Sequence, residues 1–150
     1  MNPEQAQAPL FARGLPMPAV SRDTLPWWQA AAEHRLVVQT CAACGHKRHP
    51  PGPVCPACRA FAHQWVASSG RGVVYSFTVV RQAFLPALAR AVPYVVAIVE
   101  LEDAQVRLFS NVIGIAVDAV RVGLPVEVVW DDIAPGVAVP RFCPRAGAAT

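Results

Sequence analysis

The sequence predicts a mainly β fold: one N-terminal helix, a four-cysteine ribbon, then a five-stranded barrel of the OB type. Three observations predict it. Two Cys-x-x-Cys pairs, Cys41/Cys44 and Cys55/Cys58, stand ten residues apart. Beyond them, five or six short apolar runs recur with strand periodicity within about 80 residues. There is no internal repeat, and one irregular insertion follows the longest run, which fits a small closed Greek-key barrel. On pattern alone a small sandwich remains the alternative.

Residues 1–21 contain Pro3, Pro9, Pro16 and Pro18 and read as an extended arm. Residues 22–40 hold the helix and a lead strand. Asp23 or Thr24 caps the helix, and Pro26 falls in its first turn, where a missing N–H costs nothing. Trp27, Trp28, Ala31, Ala32 and Leu36 lie near helical spacing. Two adjacent tryptophans cannot both face one core. Either one ring is buried and the other half exposed, or the pair forms a docking surface. Residues 36–39 then read as a strand entering the cysteines.

Residues 41–63 form the ribbon. In each C-x2-C hairpin both sulfurs turn to one side, so two facing hairpins offer four thiolates at tetrahedral corners. Gly45 follows the first pair, where a positive φ is cheap only for glycine. Pro50, Pro51, Pro53 and Pro56 stiffen the connection. Disulfides need an oxidising compartment, and a redox CxxC comes singly beside a βαβ unit. A structural zinc site held by Cys41, Cys44, Cys55 and Cys58 is the expectation, with iron open because tetrahedral S4 suits it too. Four thiolates close the shell, so catalytic zinc is not expected. His46 and His49 are alternative ligands that a four-cysteine set does not need.

Residues 64–143 are expected to form the barrel and 144–150 a tail. Strands are predicted at 64–68 and 73–80 around Gly70 and Gly72, at 94–101, 106–113 and 126–130, with a short edge strand at 137–142. Tyr75, Phe77 and Val79 are placed on one face, as barrel-core positions. Residues 102–105 suit a tight hairpin and Asp118 centres a short turn. Cys143 stands alone as an unpaired thiol.

Composition removes several function classes. With 54% hydrophobic and 15% charged residues, the chain is too apolar for disorder and carries apolar surface for a partner. No run of 18 apolar residues offers a membrane span. Residues 1–18 do not resemble a signal peptide, so the expected location is cytoplasmic. The formal charge of +3 falls to about +1 once four thiolates and one Zn2+ are included. Twelve of the thirteen basic residues are arginines scattered along the chain, which is no nucleic-acid footprint.

Several motifs occur together in one order: Pro26-Trp27-Trp28, then Leu36-Val37-Val38-Gln39 leading into Cys41-x-x-Cys44-Gly45, and Pro50-Pro51 ahead of Cys55-Pro56-x-Cys58. Gly72-Val73-Val74-Tyr75-Ser76-Phe77-Thr78-Val79, Pro93-Tyr94-Val95-Val96-Ala97 and Ser110-Asn111 follow. Gly123-Leu124-Pro125-Val126-Glu127-Val128 and Val139-Pro140-Arg141-Phe142 close the series. Over about residues 22–145 the chain resembles the acyl-CoA-associated family that joins a rubredoxin-like zinc ribbon to an OB fold. The resemblance implies a non-catalytic accessory subunit of a thiolase-like enzyme, either a thiolase or a retro-aldolase, with hotdog-fold hydratases as partners of some members. It implies that the partner carries the catalytic groups, while this chain stabilises it and helps line the entrance for a CoA thioester.

The residues agree with a subunit role, since no paired carboxylates, Ser/His/Asp set or phosphate loop stand out. Candidate CoA or partner contacts are Arg81, Phe84, Leu85 and Arg90 in the insertion at 81–93, Arg48 at the ribbon tip, and Trp27 and Trp28. The plainer readings are a loop that caps the barrel and a solvated turn at Lys47-Arg48. The rival function is a single-stranded nucleic-acid-binding module, which would want a basic groove with stacking aromatics. A self-sufficient acyl-CoA hydrolase lacks a visible catalytic set.

Overall fold

The structure, a computed structural model, describes residues 15–147. The arm expected at 1–21 therefore lies partly outside the described residues, and 15–21 carry no helix or strand. The helix α1 spans Leu25–Ala32 and buries Trp27, Ala30 and Ala31. Its start differs from expectation. Thr24 is the N-cap, but its hydroxyl accepts from the Ser21 N–H (2.9 Å) instead of capping the helix. Ser21 receives the first helical N–H on its carbonyl, Leu25 N to Ser21 O at 2.9 Å.

Three strands build the ribbon sheet: β1 (Val37–Cys41), β2 (Lys47–Arg48) and β3 (His63–Ala67), in the order β2-β1-β3. All of β1 is buried. Sequence had set β3 into the barrel as the start of a hairpin around the glycines. Instead it pairs along its whole length with β1, so the ribbon sheet runs on to Ala67 and the barrel begins at Arg71. Strand periodicity identifies a strand without naming the neighbour it will pair with.

The barrel comprises β4 (Arg71–Val80), β5 (Tyr94–Leu101), β6 (Arg107–Val112), β7 (Pro125–Ala134) and β8 (Val137–Pro144), closed in the order β4-β5-β6-β8-β7. On β5 the alternation is strict, with Val95, Ala97, Val99 and Leu101 inside. Leu108, Val126 and Phe142 complete the interior. Gly72 is required on β4, because a Cβ there would stand 2.5 Å from the Glu100 carbonyl oxygen of the paired strand. No helix among the described residues is long and apolar enough to cross a membrane.

Two expectations for the barrel are corrected. Tyr75 is not a core residue. A bulge between Val74 and Ser76 switches which parity faces inward, so Val74 is buried before it, Phe77 and Val79 pack on the core after it, and Tyr75 is left outside. There the Arg107 guanidinium lies 3.5 Å over its ring. The last strand is not an edge. β8 pairs antiparallel with β7 from Val137 to Pro144 and parallel with β6 at Val112↔Phe142, so Cys143 sits in a ladder opposite Glu127 and the strand runs on to Pro144. Burial and the Glu127 carboxylate raise the Cys143 thiol pKa.

The ribbon is fixed to the barrel through the β5–β6 hairpin. Asp103 accepts from the Ser69 N–H (2.6 Å) and the Ser68 hydroxyl (2.8 Å), and Lys47 Nζ donates to its carbonyl (2.9 Å). Burial pushes the Asp103 carboxyl upward, but these donors outweigh it and hold the pKa below the usual value of 3.8. A depressed folded-state pKa contributes stability that is present above the unfolded value and lost as pH falls through the folded one. The Ser69 amide proton resonance should therefore titrate with an inflection below 3.8. An inflection above that value would show that the clamp does not hold the ionised form.

Candidate metal centre

Each Cys-x-x-Cys pair folds into the same knuckle. Gly45 N–H donates to the Cys41 carbonyl (3.0 Å), and Arg59 N–H donates to the Cys55 carbonyl (2.9 Å). Both residues after the second cysteine adopt the left-handed conformation, Gly45 at φ 73° and Arg59 at φ 66°. Gly45 does so freely; Arg59 carries the cost of a side chain in that region. Only the glycine was legible in advance.

The knuckles bring the four sulfurs within 4.8 Å of one another, with Cys41 Sγ to Cys58 Sγ at 3.6 Å and Cys44 Sγ to Cys55 Sγ at 3.7 Å. A tetrahedron with metal–sulfur bonds of about 2.3 Å has edges of about 3.8 Å. These separations exceed a disulfide bond, and all four cysteines are free thiols. Backbone N–H groups, Cys44's foremost, lower the Cys41 pKa to about 6, and the Cys58 N–H foremost lowers that of Cys55. The His46 N–H would lower Cys44 as well. Hydrogen bonding to its sulfur neighbours and burial outweigh it and push Cys44 up to about 12. A divalent cation would replace the shared protons, so the donor set fits Zn2+ as a closed structural site.

Among the described residues no histidine joins the four-cysteine group. His49 lies against Trp27 with ring centroids 5.4 Å apart, and burial lowers its pKa to about 4, so it is neutral at pH 7. It lines a cleft of about 300 Å³ between helix, ribbon and barrel, together with Trp27, Trp28, Pro50, Phe109 and Arg141. Phe109 is 77% exposed, while the buried Trp27 Nε1 has no hydrogen-bond partner among the described residues. Trp27 is thus the buried ring and Trp28 the half-exposed one, 4.8 Å apart and edge to face. Trp27 meets the cleft with only 6% of its surface exposed.

Arg48 is not at a solvated tip either. Strand alternation on β2 turns it inward, where Nε donates to Gln39 Oε1 (2.6 Å) and Nη2 to the Gly52 carbonyl (2.9 Å). The remaining candidates stay together on the loop between β4 and β5. Phe84 is 79% and Leu85 47% exposed, Arg90 is exposed, and Arg81 pairs with Asp118 at 3.0 Å. None of these four lines the cleft that holds the tryptophans.

Sequence reasoning missed a buried polar chain beside that cleft. Arg141 Nε donates to Asp131 (3.1 Å) and Nη1 to Asn111 (2.6 Å), and the Asn111 amide donates to the Val95 carbonyl (2.7 Å). Asn111 and Arg141 belong to motifs that carry the family resemblance, but their contact is thirty residues apart in sequence and leaves no local signal.

Comparison with known proteins fits this architecture. The family model described as the ChsH2 rubredoxin-like zinc ribbon domain matches residues 28–64, and that of the ChsH2 C-terminal OB-fold domain matches 65–131. A solved chain described as "Ltp2-ChsH2(DUF35) aldolase" superposes with a TM-score of 0.78 at 44% identity, covering 85% of this chain and 98% of that one. The chain belongs to the ChsH2/DUF35 family. Among curated ChsH2-like relatives, a probable enoyl-CoA hydratase alpha subunit of Thermomonospora curvata is 45% identical over 129 residues, covering 86% of this chain. A 3-oxo-4,17-pregnadiene-20-carboxyl-CoA hydratase alpha subunit of Mycobacterium tuberculosis is 38% identical over 115 residues, covering 77% of this chain. The chain spans 40% and 36% of the lengths of these two relatives.

Proposed function

We propose that this chain is the zinc-binding, non-catalytic part of a hetero-oligomeric, thiolase-like enzyme that makes or cleaves a carbon–carbon bond in a CoA thioester. The observation that carries this reading is its match to nearly the whole of a chain solved as an aldolase component. Cys41, Cys44, Cys55 and Cys58 hold structural Zn2+, in a reducing compartment such as the cytoplasm that keeps the thiols free. The partner supplies nucleophile and acid/base groups. This chain supplies rigidity and surface: Phe84 and Leu85 dock on the partner, Arg81 and Arg90 on the same loop meet the CoA thioester's phosphates, and Trp28 offers a second contact at its own cleft. A second reading, participation in a hydratase, is favoured by the 45% identity to a hydratase alpha subunit.

Co-purification with an untagged partner, identified by mass spectrometry, separates the two. A thiolase-like protein in stoichiometric amount is expected. Recovery of a hydratase, or of no partner, overturns the first reading. Phe84→Ser with Leu85→Ser should lower partner recovery about tenfold, since about 1.4 kcal/mol of lost apolar contact suffices for that. Both side chains are exposed, so the urea midpoint should not move. Undiminished recovery would remove the loop from the interface.

A further inference from the structure

Between Glu33 and Glu100 the sequence contains no aspartate or glutamate. The whole ribbon lies in that interval and carries Lys47, Arg48 and Arg59. Two of these are screened by solvent or lie at the surface: Arg59 is exposed, and Lys47 reaches the Asp103 carbonyl. Arg48 is different, because it is 9% exposed and its partners, the Gln39 amide oxygen and the Gly52 carbonyl, are both neutral. Among the described residues its buried Nη1 has no hydrogen-bond partner. A guanidinium cannot shed its proton, and a buried charge without a counter-charge is costly.

The negative charge that the ribbon lacks in carboxylates would come from its thiolates. Four thiolates around a divalent cation carry a net charge of −2. Arg48 stands directly opposite Gln39 in the β1–β2 ladder, and Gln39 lies two residues from Cys41, so all three project from one face of the sheet. Gln39 Oε1 also accepts from the Gly52 N–H (2.9 Å), on the segment that leads to Cys55. One buried cluster thus joins the strand bearing Cys41 to the lead-in of the second knuckle.

We propose that Arg48 is the counter-charge of the metal centre, a positioning residue whose buried positive charge favours the dianionic four-thiolate cluster. This rests on the reading that Cys41, Cys44, Cys55 and Cys58 hold a divalent metal. It separates charge from shape. Gln39→Glu keeps the side chain's size and both hydrogen bonds, but it neutralises Arg48 and adds a negative charge beside the cluster. If Arg48 served only as a clamp, the charge-assisted bond would hold the ribbon at least as well.

The test is the apparent zinc dissociation constant of the full chain, measured against a chromophoric chelator at fixed pH and ionic strength. Gln39→Glu and Arg48→Met should each weaken zinc binding about tenfold or more, the usual loss when an outer-shell partner is removed. Arg48→Lys should retain more zinc than Arg48→Met. Zinc held by Gln39→Glu as tightly as by wild type overturns the assignment, as does Arg48→Lys behaving no better than Arg48→Met. Should Arg48→Met fail to fold, the Gln39→Glu comparison decides alone, with its barrel unfolding midpoint as the control. A wild-type chain that takes up no zinc overturns the four-thiolate reading itself, and the same titration shows this before any variant is made.

Discussion

Cys41→Ser is expected to empty the ribbon of metal and to lower the yield of the partner complex together. The Cys41 side chain is 1% exposed, and its sulfur faces Cys58 at 3.6 Å. A serine hydroxyl does not ionise to replace a thiolate, and three remaining sulfurs leave the shell open. The ribbon has little else to hold it. β2 is two residues long, and four of the five residues of β3 are exposed. Structural zinc contributes on the order of 10 kcal/mol to small units of this kind, so its loss should melt the knuckles. The barrel has its own interior around Leu101, Leu108 and Phe142 and should stay folded. The expected result is a variant with barrel-like circular dichroism, zinc content near background by elemental analysis, and rapid proteolysis within residues 41–63. Loss of zinc with undiminished assembly would mean that the partner does not depend on the ribbon's shape.

The metal site was legible because ligand chemistry constrains spacing directly: two hairpins of fixed length put four sulfurs in reach of one ion. The barrel strands were legible because one side of each meets the core, which writes period two into β5. What failed was information that a local pattern does not carry. Tyr75 looked buried because one bulged residue reverses the parity of everything beyond it. β3 looked like half of a barrel hairpin because alternation says nothing of which sheet a strand joins. Pro140 suggested an edge, yet its strand is flanked on both sides. Arg48 suggested a phosphate contact, because charge in a short loop reads as solvated until a two-residue strand turns it inward.

Arg141→Met should cost the barrel a large share of its stability while sparing the cysteines. Arg141 and Asp131 sit on adjacent strands as diagonal neighbours, with side chains 10% and 8% exposed. On its other side Arg141 reaches Asn111 of β6 at 2.6 Å. It therefore bridges β7 and β6 across β8. That is the seam where the parallel ladder offers one pair, Val112↔Phe142, and where closure rests on side chains more than on backbone. Methionine fills similar volume but leaves the Asp131 carboxylate buried without this counter-charge. Breaking one side of a buried pair costs about 3–5 kcal/mol, because the remaining charge keeps its desolvation penalty. The urea midpoint should fall accordingly, and Tm by on the order of 10 °C. Replacing both members, Arg141→Met with Asp131→Leu, should lose less than the single change, since the Asp131 carboxylate is then no longer held inside without Arg141. A single variant within about 0.5 kcal/mol of wild type would mean that water reaches the pair and that backbone pairing alone closes the barrel. Arg141 also lines the cleft with Trp28 and Phe109, so loosening the seam should weaken partner recovery even where the zinc content is unchanged.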